Sequence, residues 1–171
     1  VRLPLLEAPA PMPALASAQS SRHWQDMRLR FLVVDDHPVN RLLACNIVQA
    51  QWPKAYLCQA SHGQEALACL HREPFDLVLM DMVMPEMDGM SVLRELSALD
   101  QAPIIVISGA GVMSDVVEAL RLGASDYFIK PIADMALLEH SIRRCLEAVK
   151  LQRENIRYRE ELESANRKLE A

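Results

Sequence analysis

No run of apolar residues in this chain approaches the roughly 20 that a membrane-spanning helix requires. That absence leads to the expectation of a soluble protein with no membrane partner. Basic residues are not in excess either: 18 Lys and Arg stand against 23 Asp and Glu, for a net charge of −5. A nucleic-acid surface needs dense positive patches, so no nucleic-acid partner is expected for this stretch. The four cysteines, Cys45, Cys58, Cys69 and Cys145, are scattered with no close pair. Neither a zinc knuckle nor a redox dithiol is suggested by that spacing, and buried free thiols in a reducing, cytoplasmic setting are expected instead. Glycine and proline are both missing from Met135 to Ala171, so nothing there stops a helix once it has begun.

What is present is ordinary globular material. The chain has 171 residues, 51% of them hydrophobic and 24% charged, which is enough to bury a core and leaves room for one domain with extra length at its ends. The opening VRLPLLEAPAPMPALASA ends in small residues like a signal-peptidase site, but Glu7, Pro4, Pro9, Pro11 and Pro13 interrupt any apolar helical region. Residues 1–27 therefore read as a Pro/Ala/Ser-rich linker of extended character. The chain also begins with Val, and a piece of a longer protein is the expectation.

From Arg28 onward short apolar runs alternate with helix-period segments, the pattern of parallel strands joined by crossover helices. The expected strands are Leu29–Val34, Ala55–Ala60, Leu77–Met80, Ile104–Ile107 and Tyr127–Ile129. Between them, Leu43, Ile47 and Val48 mark the inner face of a first helix, and Ala66, Leu67 and Leu70 that of a second. Met90, Leu93 and Leu96 mark a third, and Val116, Val117 and Leu120 a fourth. Ser114 is expected to cap the fourth, with Gly123 ending it. The predicted fold class is α/β, a doubly wound five-stranded parallel sheet with an extended C-terminal helix.

In such a sheet, ligands bind where the carboxyl ends of the strands meet their loops. Asp35 and Asp36 follow the first strand, Asp81 the third, Ser108 the fourth and Lys130 the fifth. Three carboxylates gathered at one rim repel unless something positive sits among them. Magnesium suits them, because it prefers oxygen ligands and binds through one or two carboxylates together with phosphate oxygens. A carboxylate beside such an ion can attack phosphorus, with Lys130 supplying charge and Ser108 a hydrogen bond to the transferring group. Each residue alone has a plainer reading: an Asp pair as a turn, a serine as surface, Lys-Pro as a rigid corner. Their joint occurrence after the right strands is what carries the chemistry. His37 reads as a lead-in to the first helix and His62 as part of a turn. Met80, Met82, Met84, Met87 and Met90 read as packing residues.

The segments FLVVDDHPVNR, DLVLMDMVMPEMDG, IIVISGAG and GASDYFIKP are similar to the signature segments of response-regulator receiver domains, over about residues 28–148. The resemblance implies the flavodoxin-like strand order 2-1-3-4-5. It implies Asp81 as phosphoacceptor, Asp35 and Asp36 as the acidic pocket, and Asp81 with the backbone carbonyl of Val83 as further magnesium ligands. Ser108 would be the switch hydroxyl, Lys130 the cation on the phosphoryl group, and Tyr127 the aromatic whose rotamer reports the state, with a cis Lys130–Pro131 bond. The implied donor is a phosphohistidine on a sensor histidine kinase or a histidine phosphotransfer domain. Phosphorylation would then alter the face made by the fourth helix and fifth strand. Val83 and Ala110 stand where some relatives place polar groups that position water, which implies a modest hydrolysis rate, and Gly109 leaves the acceptor accessible.

In the tail, residues 149–171, the positions Leu151, Asn155, Tyr158, Leu162, Ala165 and Leu169 recur at alternating four and three spacing, the seam of a parallel coiled-coil dimer. A solvated charged helix is the alternative. The tail resembles the linker helix of RssB-type regulators, which leads to an output domain, whereas DDHPVNR and the proline-rich start resemble a hybrid histidine kinase receiver. Two other functions fit the residues less well. A pseudo-receiver, acting as a phosphate-independent scaffold, has no need of the acidic cluster. A haloacid-dehalogenase-type phosphatase needs a second acid two residues after its nucleophile, where Asp81 has Val83 and Asp35 has His37. The expectation is a signalling switch and not an enzyme in its own right.

Overall fold

Nearly continuous apolar residues give the central strands two buried faces, and the chain covers both. The computed structural model describes residues 28–96, 102–109, 113–132 and 135–169. The elements, in order, are β1 (Arg30–Val34), α1 (Pro38–Gln51), β2 (Tyr56–Ala60), α2 (Gly63–Arg72) and β3 (Leu77–Asp81). They continue with α3 (Gly89–Leu96), β4 (Ile104–Ser108), α4 (Met113–Arg121), β5 (Asp126–Ile129) and α5 (Met135–Leu169). All five strands are parallel in the order β2-β1-β3-β4-β5. This is the doubly wound sheet expected from the sequence, with each strand within a residue or so of its predicted limits.

The strand side chains sort by period two. Leu32, Val34, Val78, Met80, Ile104 and Val106 face one way and pack under α2, α3 and α4. Phe31, Leu77, Leu79, Ile105 and Ile107 face the other way, under α1 and α5. The five methionines of residues 80–90 belong to the first core or pack against it, the packing role expected of them.

Two helical faces differ from the sequence expectation. In α1 the buried positions are Cys45 and Val48, while Leu43 is exposed and Ile47 only half-buried. Leu43 and Ile47 instead line an open cleft beside Val33, Leu79 and Ile107 of the sheet, which leaves Leu43 uncovered. In α4 only Ala119 is buried; Val117 and Leu120 are exposed and Val116 is half-buried. A small residue lets α4 lie close to the sheet, and the larger apolar residues are left to its sides. Ser114 is no cap either: it lies one residue inside α4, with its hydroxyl on Asp115 Oδ1. Gly123 does end α4, at φ 101°, with Ala124 N–H donating to Ala119 O and Gly123 N–H to Leu120 O. Those two bonds form a Schellman closure, which a glycine at positive φ makes feasible.

The four cysteines are free thiols, as expected, and three of them are buried, but two of them meet. Cys58 on β2 and Cys69 on α2, eleven residues apart, lie with their Sγ atoms 3.6 Å from each other. Sequence spacing missed them because a strand and the helix folded back on it bring together residues that no local motif connects.

α5 runs unbroken for 35 residues, about 50 Å at 1.5 Å per residue. Leu138, Ile142, Cys145 and Leu146 are buried against the sheet. Farther along, Arg153 pairs with Asp76 at 3.1 Å, and Val149 and Ile156 line a groove with Pro74, Phe75 and Ala102. Beyond that point Tyr158, Leu162 and Ala165 are exposed. No helix among the described residues is long and apolar enough to cross a membrane. Residues 1–27, the expected linker, lie outside the described residues, as does Ala110.

Candidate functional site

Backbone hydrogen bonds carry β1 and β5 slightly past their ends and so set Asp35 and Lys130. Asp35 N–H donates to Ala60 O, prolonging the β1–β2 ladder, and Asp35 Oδ1 accepts the His37 N–H at 2.9 Å. That side-chain turn directs the chain into α1, where His37 is the N-cap position and a proline opens the first turn, a place where its missing N–H costs nothing. His37 is therefore the lead-in expected. Arg41 reaches back from α1 and donates through Nη1 to the Asp35 backbone carbonyl at 2.6 Å.

Asp81 ends β3 and sits opposite Ile107. Its Oδ1 accepts the Val83 N–H at 3.3 Å. The loop after it is closed by Gly89 N–H donating to Met82 O, and by a tight turn, Met87 N–H to Pro85 O, around Glu86 at φ 67°. Gly89 approaches so closely that a Cβ there would lie 2.6 Å from the Asp81 carbonyl oxygen. Asp88 then accepts the Ser91 N–H at 2.7 Å, a bond that holds its carboxyl below the ordinary range and starts α3.

At the other strands, Lys130 N–H donates to Ser108 O, which extends the β4–β5 ladder and aligns both residues at the rim. The Lys130–Pro131 bond is cis, as expected. Ser108 is 1% exposed. Tyr127, half-buried, packs toward the core beneath α4.

These constraints place Asp35 (6% exposed), Asp81 (7%) and the exposed Asp36 so that one oxygen of each lies within 4.8 Å of the others. Lys130 Nζ bridges two of them, 2.7 Å from Asp35 Oδ2 and 2.7 Å from Asp81 Oδ2. Burial alone would lower the lysine, but its hydrogen bonds to Asp35 and Asp81 and their charges outweigh that and raise it above its usual value. The ammonium is thus firmly charged. Three carboxylates and one ammonium still leave two negative charges, which is the balance that favours a divalent cation. An all-oxygen donor set matches a hard ion such as magnesium. Chemically, the rim offers a nucleophilic carboxylate, a cation beside it, and room for an ion.

A sequence model for the family described as "response regulator receiver domain" matches residues 31–142. The chain belongs to that receiver family. The chemotaxis protein CheY of Bacillus subtilis is 36% identical over 114 residues, covering 66% of this chain and 94% of that one. A CheY-like receiver domain from Methanospirillum hungatei JF-1 superposes with a TM-score of 0.67 at 25% identity, covering 74% of this chain and 99% of that one. The receiver domain of a sensor histidine kinase from Pseudomonas aeruginosa PAO1 gives a TM-score of 0.62 at 27% identity, covering 71% and 99%; that structure holds magnesium in its active-site cleft. The chain spans 45% of one transcriptional-regulator relative it matches and 26% of another. Receiver domains of this family act in two-component signalling as switches and not as classical enzymes.

Of the residues proposed from the sequence, Asp35, Asp36, Asp81 and Lys130 come together at this rim, with Ser108 at the adjoining end of β4. Val83 is 61% exposed at its mouth; Tyr127 stands back from it, toward α4. Arg41 and Gly89 were missed. Gly89 had a signal, an Asp-Gly pair opening a helical run, but Arg41 had none, because its contact is to a backbone carbonyl.

Proposed function

We propose that this receiver takes a phosphoryl group onto Asp81 from a phosphohistidine of a sensor histidine kinase or histidine phosphotransfer domain. The observation that carries this reading is the Lys130 ammonium bridging Asp35 and Asp81 at 2.7 Å each, with Asp36 beside them. In the step, an Asp81 carboxylate oxygen bonds to phosphorus as the phosphorus–nitrogen bond breaks, and the electron pair of that bond returns to the imidazole. Asp35, Asp36, Asp81 and the Val83 carbonyl would hold Mg²⁺, which when bound offsets charge on the phosphoryl oxygens. Lys130 gives up one carboxylate contact to meet a phosphoryl oxygen, and the buried Ser108 hydroxyl donates to another. Preorganised donors of this kind are what phosphoryl transfer asks of a protein.

The consequences run outward from the rim. Movement of Ser108 toward the phosphoryl group makes room for Tyr127, which alters the α4–β5 face where Val117, Leu120 and Ile129 stand exposed. On the other side, a cleft of about 580 Å³ joins Asp35, Asp81 and Lys130 to the apolar Leu43, Ile47 and Met135. It supports docking of a partner helix next to the acceptor. We assign residues 149–171 to a parallel homodimer that carries the signal to an output, with the receiver body at 28–148 and a cytoplasmic setting.

Intact-mass spectrometry after incubation with acetyl phosphate and Mg²⁺ tests the reading. One magnesium-dependent phosphate adduct is expected on the parent chain and none on Asp81→Asn. A parent chain that stays unmodified with several small phosphodonors and with a phosphohistidine donor would replace this reading with the phosphate-independent scaffold.

A further inference from the structure

Two thiols of this receiver meet on the face of the sheet away from α1 and α5. Cys58 lies on β2, the edge strand, and is partly accessible; Cys69 lies on α2 and is buried in the core beneath that helix. The Cys58 thiol donates toward Cys69 Sγ across 3.6 Å. Arg72, one helical turn on, brings Nη2 to 3.7 Å from the same sulfur. Cys45 and Cys145 are buried, and Cys145 belongs to the opposite core, so neither can compete for the pair. A disulfide needs its sulfurs at about 2.05 Å, a closure of roughly 1.5 Å that side-chain rotation about Cα–Cβ can supply.

We propose that Cys58 and Cys69 are an oxidative modification site, which closes to an intrachain disulfide by exchange with a small-molecule disulfide. Cys58, the accessible member, attacks the small disulfide as thiolate. A sulfur–sulfur bond forms between Cys58 and one half of it, and the other half leaves as a thiolate. Cys69 then attacks the Cys58 sulfur as thiolate. The second half leaves, and the two protons lost from the cysteines end on the two released thiols. Two cysteines are oxidised and one small disulfide is reduced. Burial, then the contact with Cys69, pushes the Cys58 thiol up to about 11. The exchange is therefore slow at neutral pH, and since the reduced form gains little from ionisation, the bridge once formed resists reduction.

The bridge would tie the edge strand to α2 through a loop of about a dozen residues. α2 itself abuts the loop that follows Asp81: a Cβ on Gly63 would meet the Met87 carbonyl at 2.7 Å. The cross-link thus clamps the helix that buttresses the acceptor loop, at a distance from the carboxylates themselves.

The test incubates the folded chain with oxidised glutathione, well below its unfolding temperature, then denatures, alkylates and digests it with trypsin. Residues 55–72 form one tryptic peptide holding both thiols, with Cys45 and Cys145 in others. The expected result is that this peptide emerges two hydrogens light and unalkylated, while Cys69→Ser accumulates a glutathione adduct on Cys58 and Cys58→Ser gives neither. The bridged chain should unfold several degrees higher than the reduced one. Recovery of both thiols alkylated, or of a persistent glutathione adduct on Cys58 of the parent, overturns the proposal. So does a bridge that lowers the unfolding temperature, since such a bridge would have formed through unfolded molecules.

Discussion

Glu65 works at the head of α2 in a way that a single titration can expose. Its Oε2 accepts from Ser61 N–H at 2.7 Å and from Ser61 Oγ at 2.8 Å, while its own N–H donates to His62 Nδ1 at 3.2 Å. His62 fills the N-cap place usually taken by serine or threonine, while the Glu65 carboxylate reaches back one residue farther, to Ser61. The backbone and side-chain bonds from Ser61 hold the Glu65 carboxyl below its usual 4.5. The folded-state value being the lower one, the stabilisation is present above 4.5 and is lost as pH falls through the depressed value. Glu65→Gln is therefore expected to unfold at a lower temperature than the parent near neutral pH, with the gap closing under acid; thermal melts followed by far-ultraviolet circular dichroism over that range check it. Lys130 behaves oppositely, its contribution disappearing on the alkaline side because its value is raised above 10.5. At this scale the sequence was informative where a residue type does chemistry. Asp35, Asp36, Asp81, Ser108 and Lys130 could be read from carboxylates, a hydroxyl and an amine at strand ends. The sequence was silent on Arg41, Cys58 and Cys69, whose partners are chosen by packing.

Elements were legible by period and illegible by facing. The sheet strands stand out because parallel strands buried on both sides are nearly continuous apolar runs. The helices α2 and α3 bury Leu67, Leu70, Leu93 and Leu96, so their large residues point inward and the pattern reads directly. In α4, by contrast, the contact with the sheet is made by Ala119, and the larger Val117 and Leu120 stay outside; a rule that looks for bulky apolar residues selects the wrong side. The loop from β3 to α3 depends on one glycine. Gly89→Ala would push a methyl carbon to 2.6 Å from the Asp81 carbonyl and 2.9 Å from Met82 Sδ. Because one of those atoms is backbone, the strand end must shift. A loss of about 1–3 kcal/mol is expected, measured by urea denaturation, together with slower phosphorylation by acetyl phosphate as Asp81 moves relative to Lys130.

Over the whole molecule, the two cores meet different fates. The side under α2, α3 and α4 is closed by short helices, with Arg94 of α3 paired to Glu118 of α4 across their surface. The side under α1 and α5 is closed by a helix that continues past the domain. Ser141 donates to Asp126 Oδ2, Arg144 pairs with the same oxygen at 2.8 Å, and Arg153 pairs with Asp76; Asp76 also accepts the Arg30 N–H at 2.9 Å. The helix was legible from the missing Gly and Pro after Met135, and its packing on the sheet from the apolar Ile142 and Leu146, which are buried there; its arginine contacts were not, since Asp76 and Asp126 lie far away in sequence. With Leu151, Asn155, Tyr158 and Leu162 all exposed, Leu162→Glu is expected to convert the proposed dimer to monomer in light scattering. Phosphate uptake from acetyl phosphate should stay within about two-fold, because the substitution lies far outside the screening distance of the rim.

The unbroken backbone of α5 has a mechanical meaning. Its final stretch after Ile156 is about 20 Å of free rod, and the contacts of Arg144 and Arg153 act as its bearings. A tilt of about 10° at the Arg153 contact would swing the far end, about 24 Å away, sideways by roughly 4 Å. If the proposed output lies beyond the helix, the receiver would need no large rearrangement to be read at a distance, only a stiff pointer and a fulcrum, and the stretch between Ser141 and Leu169 offers both.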